Sequence, residues 1–226
     1  MDQRTIKPVA YIQSDFTEKF GIPRQSGRAP SLLSRVIFNP EYRSKDAIKG
    51  IEGFSHLWLI FDFSRAHREE FSPTVRPPRL GGNERVGVFA SRSPFRPNSL
   101  GLSSVKLVKV EHTDDLGEVL VVSGADLLDG TPIFDVKPYL PFTDCHKDAI
   151  GGYADCVKDY KLEVDIPPEL AQKVPSDKLQ GLIECLSDDP RPSYHDDQRE
   201  YGMAFSGLEI KFFVDGKTLK VIDVKN

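Results

Sequence analysis

Short apolar runs and alternating apolar and polar positions dominate the first 140 residues of the chain. Both patterns are typical of β-strands, because successive side chains of a strand point to opposite faces. The predicted strands are VAYIQ near the start, SRVIF at Ser34 to Phe38, HLWLIFDF at His56 to Phe63, RVGVFA at Arg85 to Ala90, LSSVKLVKV at Leu102 to Val110 and EVLVVSG at Glu118 to Gly124. Only RSKDAIKGIEG, which ends at a glycine, has the pattern of a short helix. Many strands without regular alternation with helices indicate an antiparallel β-barrel or sandwich.

A second pattern begins after KPYLPF at Lys137 to Phe142. Two helices are predicted there, the first opened by Pro167 and Pro168 and the second capped by Ser176 before DKLQGLIECL. The chain then reads as a hairpin, LEIKFFVDGKTLKVIDV, with a two-residue turn at Asp215-Gly216. We therefore predict a mainly β protein, with an antiparallel β-barrel domain over residues 1–145 and a small α+β domain over residues 146–226.

Arginine is concentrated in one part of the first region. Residues 65–96 contain seven arginines, three glutamates and no lysine, and RVGVFASRSPFRPNSLG, from Arg85 to Gly101, contains no acidic residue. The forked guanidinium group suits the recognition of phosphate or carboxylate better than an ammonium group does. The alternative interpretations are a solvated surface loop and a chance basic face on an acidic protein.

Composition narrows the class of protein. The 226 residues carry a formal net charge of −4, which argues against a non-specific nucleic-acid binder. Three cysteines without C-x-x-C spacing predict neither a disulfide framework nor a metal site. No apolar run approaches the roughly 20 residues that span a bilayer. Because the N-terminus lacks a basic start followed by an apolar core, we expect no signal peptide and a cytoplasmic location.

Several common cofactor and catalytic motifs are absent from the sequence. It contains no G-x-x-x-x-G-K-[ST] phosphate loop, no G-x-G-x-x-G after a strand, no G-x-S-x-G and no H-E-x-x-H. The candidates that remain are four polar segments punctuated by glycine and proline: FGIPRQSG, RPPRLGG, SRSPFRPNSLG and DLLDGTPIFDVKPYLP. If these segments converge at one rim of a barrel, they form a ligand pocket.

Four long blocks of this chain resemble a known family. The blocks are FGIPRQSG, GFSHLWLIFDF, PTVRPPRLGGNERVGVFASRSPFRPNSLGLS and DLLDGTPIFDVKPYLPF. They resemble the signature blocks of the TsaA/TrmO-like proteins, which are tRNA (adenine-N6)-methyltransferases acting on threonylcarbamoyladenosine next to the anticodon. DDPRPSYH and YGMAF resemble the family's C-terminal domain. The resemblance implies a homodimeric β-barrel enzyme that binds S-adenosylmethionine without a Rossmann fold and modifies position 37 of tRNA.

The resemblance also implies which residues contact the cofactor. By the resemblance, Arg92 pairs with the methionine carboxylate, although a salt bridge to Asp129 is the alternative. Gln25 forms hydrogen bonds with an adenine edge or, alternatively, with its own loop. Asp126 or Asp129 accepts from ribose hydroxyls or lies near the sulfonium, and Asp129-Gly130 is alternatively only a turn. The implied cofactor positions are Pro23, Arg24, Gln25, Ser64, Arg65, Arg92, Leu102, Asp126, Leu127, Leu128, Asp129 and Gly130.

The implied chemistry needs a proton acceptor. The acceptor nitrogen is part of a urea-like carbamoyl group, so its lone pair is delocalised and its proton is weakly acidic. We hypothesise a general base or strong acceptor for this N–H, with Asp135 and Tyr139 as candidates and Lys137 steadying negative charge. Alternatively, all three residues support the edge of the barrel.

Two further groups are candidates for the tRNA. Arg96, which lies between two prolines, is the candidate for a tRNA phosphate or the threonyl carboxylate, with interface packing as the alternative. In DPRPSYH, Arg191, Tyr194 and His195 suit a phosphate or an unstacked base. The alternative is a helix stop that packs the second region onto the barrel.

Two other classes of function stay open at this point. A non-catalytic sensor of an adenosine ligand would keep the PRQ and DLLDG segments without needing tRNA. A plain RNA-binding module would keep the arginines and ignore the cofactor.

Overall fold

The computed structural model describes residues 4–77, 84–192 and 199–225. Most of the ordered structure in these ranges is β, so the prediction of a mainly β chain is confirmed. The strands are β1 (Ala10–Gln13), β2 (Leu33–Phe38), β3 (His56–Asp62), β4 (Thr74–Val75), β5 (Val86–Gly87), β6 (Leu100–Thr113), β7 (Gly117–Ser123), β8 (Pro132–Pro138), β9 (Glu163–Asp165), β10 (Tyr201–Phe205), β11 (Leu208–Asp215) and β12 (Thr218–Lys225). The α-helices are α1 (Pro141–Asp144), α2 (Pro168–Ala171) and α3 (Ser176–Ser187).

Six strands form one antiparallel sheet in the order β1-β2-β7-β6-β3-β8. Strand β8 also pairs with β1, with Ile133 opposite Ala10, so the sheet closes on itself. Along β3, Leu57, Leu59 and Phe61 are buried, whereas the residues between them are only partly buried. Side chains therefore alternate between an apolar interior and an outer face, as the two-residue period of a strand requires.

The last four strands form a second sheet in the order β10-β11-β12-β9, in which β9 runs parallel to β12. Helix α3 buries Leu182 and Leu186 in the core of this sheet. Phe16 and Leu32 are buried in the same core, although they belong to the loop between β1 and β2. That loop, residues 14–32, therefore joins the two sheets.

The predicted strand at Arg85 to Ala90 is wrong beyond Val86–Gly87, because Val88–Ala90 forms a 3-10 turn. The Val88 carbonyl accepts hydrogen bonds from the Ser91 N–H, the Ser91 hydroxyl and the Arg96 guanidinium. In a continued strand, the Val88 carbonyl would accept from an N–H of a neighbouring strand. Here the local donors satisfy it instead.

The predicted helix in RSKDAIKGIEG is also wrong. It is replaced by two 3-10 turns, Lys45–Ile48 and Ile51–Gly53. Gly50 separates the turns with φ of +87°, a left-handed conformation that interrupts a helix.

Two details of the second region differ by one residue from prediction. Helix α3 begins at Ser176 itself, because the Pro175 carbonyl accepts from the N–H groups of Lys178 and Leu179, and no side chain caps this end. In the hairpin, Asp215 pairs with Thr218, which places the two turn residues at Gly216 and Lys217. Among the described residues, no helix is long and apolar enough to cross a membrane.

Candidate functional site

A set of polar side chains from four separate parts of the sequence meets at one end of the closed sheet. We call Gln25, Ser26, Arg92, Ser103 and Asp126 the polar cluster. Arg92 Nη1 donates to Gln25 Oε1 at 2.7 Å, and Ser103 Oγ donates to Asp126 Oδ1 at 2.6 Å. Residues 67 positions apart in the chain are thereby brought into direct contact. The sequence left open whether FGIPRQSG, SRSPFRPNSLG and DLLDG converge, and residues of all three meet here. Most of RPPRLGG, the fourth segment, lies outside the described residues.

Backbone contacts fix the position of this cluster. The Gly27 N–H donates to the Gly124 carbonyl at 2.8 Å, just beyond the end of β7. A Cβ atom at Gly124 would lie 3.0 Å from Gly27 Cα, and Gly124 has φ of +76°. Glycine is required here because both the close approach and the left-handed backbone disfavour any side chain. The loop that contains Gln25 is therefore tied to the strand that precedes Asp126.

Asp126 is the titratable centre of the cluster. Burial raises its pKa above the ordinary value of an aspartate, while hydrogen bonds from the Ser103 hydroxyl and the Ser26 N–H and the nearby charge of Arg92 act in the opposite direction. A largely buried carboxyl group held by two donors beside a guanidinium can accept hydrogen bonds from a ligand or attract its positive charge.

The remaining DLLDG residues have structural contacts. The side chains of Leu127 and Leu128 are buried, so only their backbone is available to a ligand. Asp129 Oδ1 accepts from the Ser14 N–H at 2.9 Å, and Gly130 has φ of +72° in an exposed turn. Asp129 thus bonds Ser14, whereas Arg92 bonds Gln25. The salt bridge between Arg92 and Asp129, which was the alternative, is not formed.

Other predicted cofactor residues contact the rest of the chain. Pro23 is buried, and Arg24 Nη2 donates to the Arg191 carbonyl at 2.7 Å, toward the second sheet. Ser64 and Arg65 are exposed after β3, where the Arg65 carbonyl accepts from Lys19 Nζ at 2.5 Å. Pro23 and Arg24 belong to the loop that carries Gln25, and Arg65 is bonded to the same loop through Lys19.

Leu102 lies on the outer face of the closed sheet, beside the candidate base. Ile60 of β3 is opposite Leu102 on one side and opposite Asp135 on the other. Since neighbouring strands are about 4.8 Å apart, Leu102 and Asp135 lie roughly 10 Å from each other across one row. Leu102 directly precedes Ser103 of the polar cluster in sequence, but Ser103 points inward to Asp126 whereas Leu102 points outward.

The three predicted catalytic residues, Asp135, Lys137 and Tyr139, form what we call the outer-face group. Lys137 Nζ lies 2.8 Å from Asp135 Oδ2, and the two side chains are 60% and 46% exposed. The hydrogen bond that Lys137 donates to the Asp135 carboxylate raises the pKa of Lys137, so the ammonium stays charged. Burial, then the nearby Cys145 and Asp144, raise the pKa of Tyr139. Tyr139 therefore suits hydrogen-bond donation, and Asp135 is the better candidate for the base.

Beside this group lies a groove of about 330 Å³, lined by Trp58, Ile60, Leu102, Lys137, Thr143, Asp144 and His146. Trp58 Nε1 donates to Asp144 Oδ2 at 2.8 Å, and the Leu140 N–H donates to the same oxygen. The Leu140 N–H and then Trp58 lower the pKa of Asp144, which stays ionised. Sequence reasoning missed Trp58 and Asp144, although a tryptophan at an outward position of an alternating strand was an available signal.

Ser103 was also missed. It occupies an inward position of β6, between the buried residues Gly101 and Val105. A serine at a position where the pattern calls for an apolar residue indicates a buried polar partner, here Asp126.

The predicted substrate residues differ in accessibility. Arg96 Nη1 donates to the carbonyls of Ser91 and Val88 at 2.7 and 3.1 Å, so this nitrogen organises its own loop. Arg191 is buried and forms a forked pair with Asp189, with Nε to Oδ1 at 2.9 Å and Nη2 to Oδ2 at 3.1 Å. This contact favours the packing alternative for Arg191. Tyr194 and His195 lie outside the described residues.

The cysteines have separate environments. Cys145 and Cys156 are exposed, and burial raises the pKa of the Cys185 thiol. Among the residues that the structure describes, no three His, Cys, Asp or Glu side chains are grouped as metal ligands.

Comparisons with known proteins cover the whole of both regions. Residues 11–145 match the family model of the tRNA-methyltransferase O N-terminal domain, and residues 159–226 match that of the TrmO C-terminal domain. The chain is 41% identical over 202 residues to tRNA (adenine(37)-N6)-methyltransferase of Escherichia coli (strain K12), covering 86% of this chain and 85% of that protein.

Two further similarities concern cofactor and fold. The chain is 36% identical over 149 residues to a protein of Pyrococcus abyssi named a probable S-adenosyl-L-methionine-binding protein, covering 66% of this chain and 75% of that one. A crystal structure of TrmO from Pseudomonas aeruginosa superimposes with a TM-score of 0.79 at 32% identity and covers 100% of both chains. The chain therefore belongs to the tRNA-methyltransferase O family.

Proposed function

We propose that this protein is an S-adenosylmethionine-dependent methyltransferase that methylates N6 of adenosine 37 in tRNA. The observation that carries this proposal is the polar cluster, in which Gln25, Arg92 and Asp126 meet. The chain that contains it matches both domains of the tRNA-methyltransferase O family. The similar Escherichia coli protein bears the name of this activity. For the present chain we propose threonylcarbamoyladenosine as the nucleoside that is methylated, as the resemblance of the sequence blocks implies.

The chemistry of the polar cluster fits S-adenosylmethionine. The Arg92 guanidinium matches the methionine carboxylate, the Gln25 amide matches an adenine edge, and the Asp126 carboxylate matches ribose hydroxyls or the sulfonium. When bound, this cofactor supplies an electrophilic methyl group on a positively charged sulfur. The cluster's role is to bind and orient, because its groups are already held by hydrogen bonds within the protein.

The outer-face group handles the proton. A carboxylate oxygen of Asp135 would accept the N6–H proton when the methyl group leaves the cofactor's sulfur for N6, so that the sulfur becomes a neutral thioether. Lys137 stays positively charged beside that carboxylate and steadies negative charge on the carbamoyl group. Tyr139, whose pKa is raised, donates its hydroxyl hydrogen to a substrate oxygen.

The tRNA binds along the arginine-rich part of residues 65–96. Exposed Arg68, Arg76 and Arg85 suit backbone phosphates, and Arg96 takes a phosphate or the threonyl carboxylate through its remaining N–H groups. Phe89, 74% exposed with the Arg96 guanidinium 5.8 Å from its ring, offers a surface for an unstacked base. Arg191 contributes indirectly, since its carbonyl holds Arg24, and Tyr194 stays a candidate contact.

The assembly we propose is a homodimer of two-domain chains that acts in the cytoplasm. The barrel domain spans residues 1–145, and the α+β domain over residues 146–226 contacts the tRNA. Support for a second copy comes from three exposed apolar side chains, those of Leu100 and Leu102 on the outer face of β6 and that of Phe142 in α1. Apolar patches of this kind favour burial against a protein partner.

Nucleoside mass spectrometry tests the proposed function. The purified protein is incubated with S-adenosylmethionine and either tRNA that carries threonylcarbamoyladenosine or a transcript that lacks it. We expect one added methyl group on the modified nucleoside alone. Methyl gain on the plain adenosine would contradict the substrate, and no gain on either tRNA, with cofactor binding intact, would favour the sensor instead.

A further inference from the structure

The loop that carries Gln25 is built into the second sheet as well as into the polar cluster. Phe16, Ala29 and Leu32 of this loop are buried in the second core, together with Leu186 of α3 and Met203 of β10. Apolar burial of this kind fixes the path of the loop, because each side chain would lose its packing if the loop moved.

Glycines permit this close contact. A Cβ atom at Gly21 would overlap the Met203 side chain, and one at Gly181 would overlap Leu32. The loop therefore packs closely against β10 at Gly21 and against α3 at Gly181.

Polar contacts anchor the loop before residues 23–27. Lys178 Nζ lies 2.7 Å from Asp15 Oδ2, and the Ser206 N–H donates to the Asp15 carbonyl at 2.9 Å. The Ala204 N–H donates to Glu18 Oε1 at 2.9 Å. The incoming half of the loop is thus bonded to both α3 and the second sheet.

A second set anchors the loop after residues 23–27. Arg28 Nε donates to Asp188 Oδ1 at 2.7 Å, and its Nη1 donates to the Lys158 carbonyl at 2.8 Å. Ser31 donates to Glu184 through both its N–H, at 2.9 Å, and its hydroxyl, at 2.7 Å. Gln25 and Ser26 lie between the two sets of anchors.

We propose that residues 159–226 position the S-adenosylmethionine site: through Arg28, Asp15 and Ser31 they hold Gln25 and Ser26 against Arg92 and Asp126. This inference rests on the proposed function, since it takes S-adenosylmethionine as the ligand of the polar cluster. The C-terminal region thereby acts on cofactor affinity without touching the cofactor, and Arg28 is a positioning residue. Its contribution is distinct from any contact of the same region with tRNA.

Calorimetric titration of S-adenosylmethionine into Arg28→Gln in the full-length protein tests this. Losing a charge-assisted anchor of the loop should raise the Kd for S-adenosylmethionine about fivefold or more. Hydrogen exchange at the amides of residues 24–27 should become faster, whereas kcat at saturating cofactor and KM for tRNA stay within about twofold. Arg28→Lys, which retains the charge beside Asp188, should recover part of the affinity.

Two matched variants keep the test decisive. Lys220→Gln removes an ion pair between Lys220 and Asp215 in the same second sheet. Neither residue takes part in the anchors named above, so the Kd for S-adenosylmethionine should stay unchanged. Ser31→Ala, at an exposed position, removes one hydrogen bond to Glu184 and should raise this Kd in the same direction by a smaller factor. It also covers the case in which Arg28→Gln does not fold, which thermal unfolding detects.

The outcomes separate the two claims. Folded Arg28→Gln with a Kd within twofold of the native value, or with unchanged exchange at residues 24–27, would overturn the positioning role alone. Native protein that binds no S-adenosylmethionine would overturn the proposed function instead.

Discussion

The polar cluster and the outer-face group differ in how firmly the fold holds them. In the polar cluster, Arg92 and Asp126 are each bonded to groups from other parts of the chain, at 2.7 and 2.6 Å. In the outer-face group, Asp135 and Lys137 are two residues apart on one strand, and about half of each side chain is exposed. Arg92 and Gln25 are exposed too, so the difference lies in the contacts: the polar cluster is held by distant parts of the chain, whereas the Asp135–Lys137 pair lies within one strand.

The difference also appears in charge. Burial raises the pKa of Asp126, so its ionised form carries a cost that a positively charged ligand relieves. Lys137 is exposed, and its partner Asp135 raises its pKa, so charge is retained at little cost. We therefore propose that the first group binds the cofactor and that the second accepts the substrate proton. Three substitutions can separate these roles.

Asp135→Asn is expected to have the largest effect. Without a proton acceptor the single-turnover methylation rate at saturating cofactor should fall about 100-fold, while the Kd for S-adenosylmethionine stays within about twofold. Rapid-quench assays and calorimetry measure the two quantities. Asp223→Asn is the matched control, because Asp223 and Lys225 form an ion pair with the same spacing on β12. An unchanged single-turnover rate would remove Asp135 from the role of base.

Arg92→Lys tests the polar cluster. A lysine keeps the charge but cannot donate a fork to a carboxylate while bonding Gln25, so the Kd for S-adenosylmethionine should rise roughly 30-fold. The rate at saturating cofactor should change much less. Arg85→Lys, at an exposed arginine that donates to the Thr74 hydroxyl, controls for arginine loss in the same stretch. Equal losses of affinity in both variants would contradict a specific role for Arg92.

Asp126→Asn should weaken cofactor binding less than Arg92→Lys does. It should also make the folded protein more stable, relative to the native protein, as pH rises. We expect about a tenfold rise in the Kd for S-adenosylmethionine at neutral pH, because a charged acceptor is replaced by a neutral one. Since the folded-state pKa is raised, native Asp126 holds its proton to higher pH in the folded than in the unfolded chain. The stabilising effect of that proton is full below an unfolded pKa of about 4 and is lost as pH rises through the folded pKa.

The free energy of unfolding of Asp126→Asn, relative to the native protein, should therefore increase as pH rises above about 4. Urea denaturation across a pH series measures this difference. A relative stability that falls with rising pH would mean that the hydrogen bonds from Ser103 and Ser26 outweigh burial.

Much of the fold was predictable where one face of an element is buried. The alternating patterns of β3 and β6 predicted the bounds of both strands to within three residues. This worked because one face of the closed sheet is buried and the other is exposed to solvent. The prediction failed around Val88. Its apolar residues are typical of a strand, but Ser91 and Arg96 donate hydrogen bonds to the Val88 carbonyl and stabilise a turn. Side chains several positions away decided that conformation.

The residues of the site could be identified from the sequence, but the contacts between them could not. The blocks around Gln25, Arg92 and Asp126 were identifiable by resemblance, yet no local pattern indicates that Arg92 bonds Gln25 rather than Asp129. Nor does DFTEKFG reveal that Phe16 is buried in the core of the second sheet. Both facts depend on contacts between distant parts of the chain, which hydrophobic periodicity does not encode.

Calorimetric titration of S-adenosylmethionine into Arg92→Lys and Asp135→Asn, side by side with the native protein, tests the division of roles most directly. We expect the Kd to be at least about tenfold higher for Arg92→Lys than for the native protein, and to stay within about twofold for Asp135→Asn. Similar affinity losses in both variants, or a loss confined to Asp135→Asn, would contradict the assignment of cofactor binding to the polar cluster.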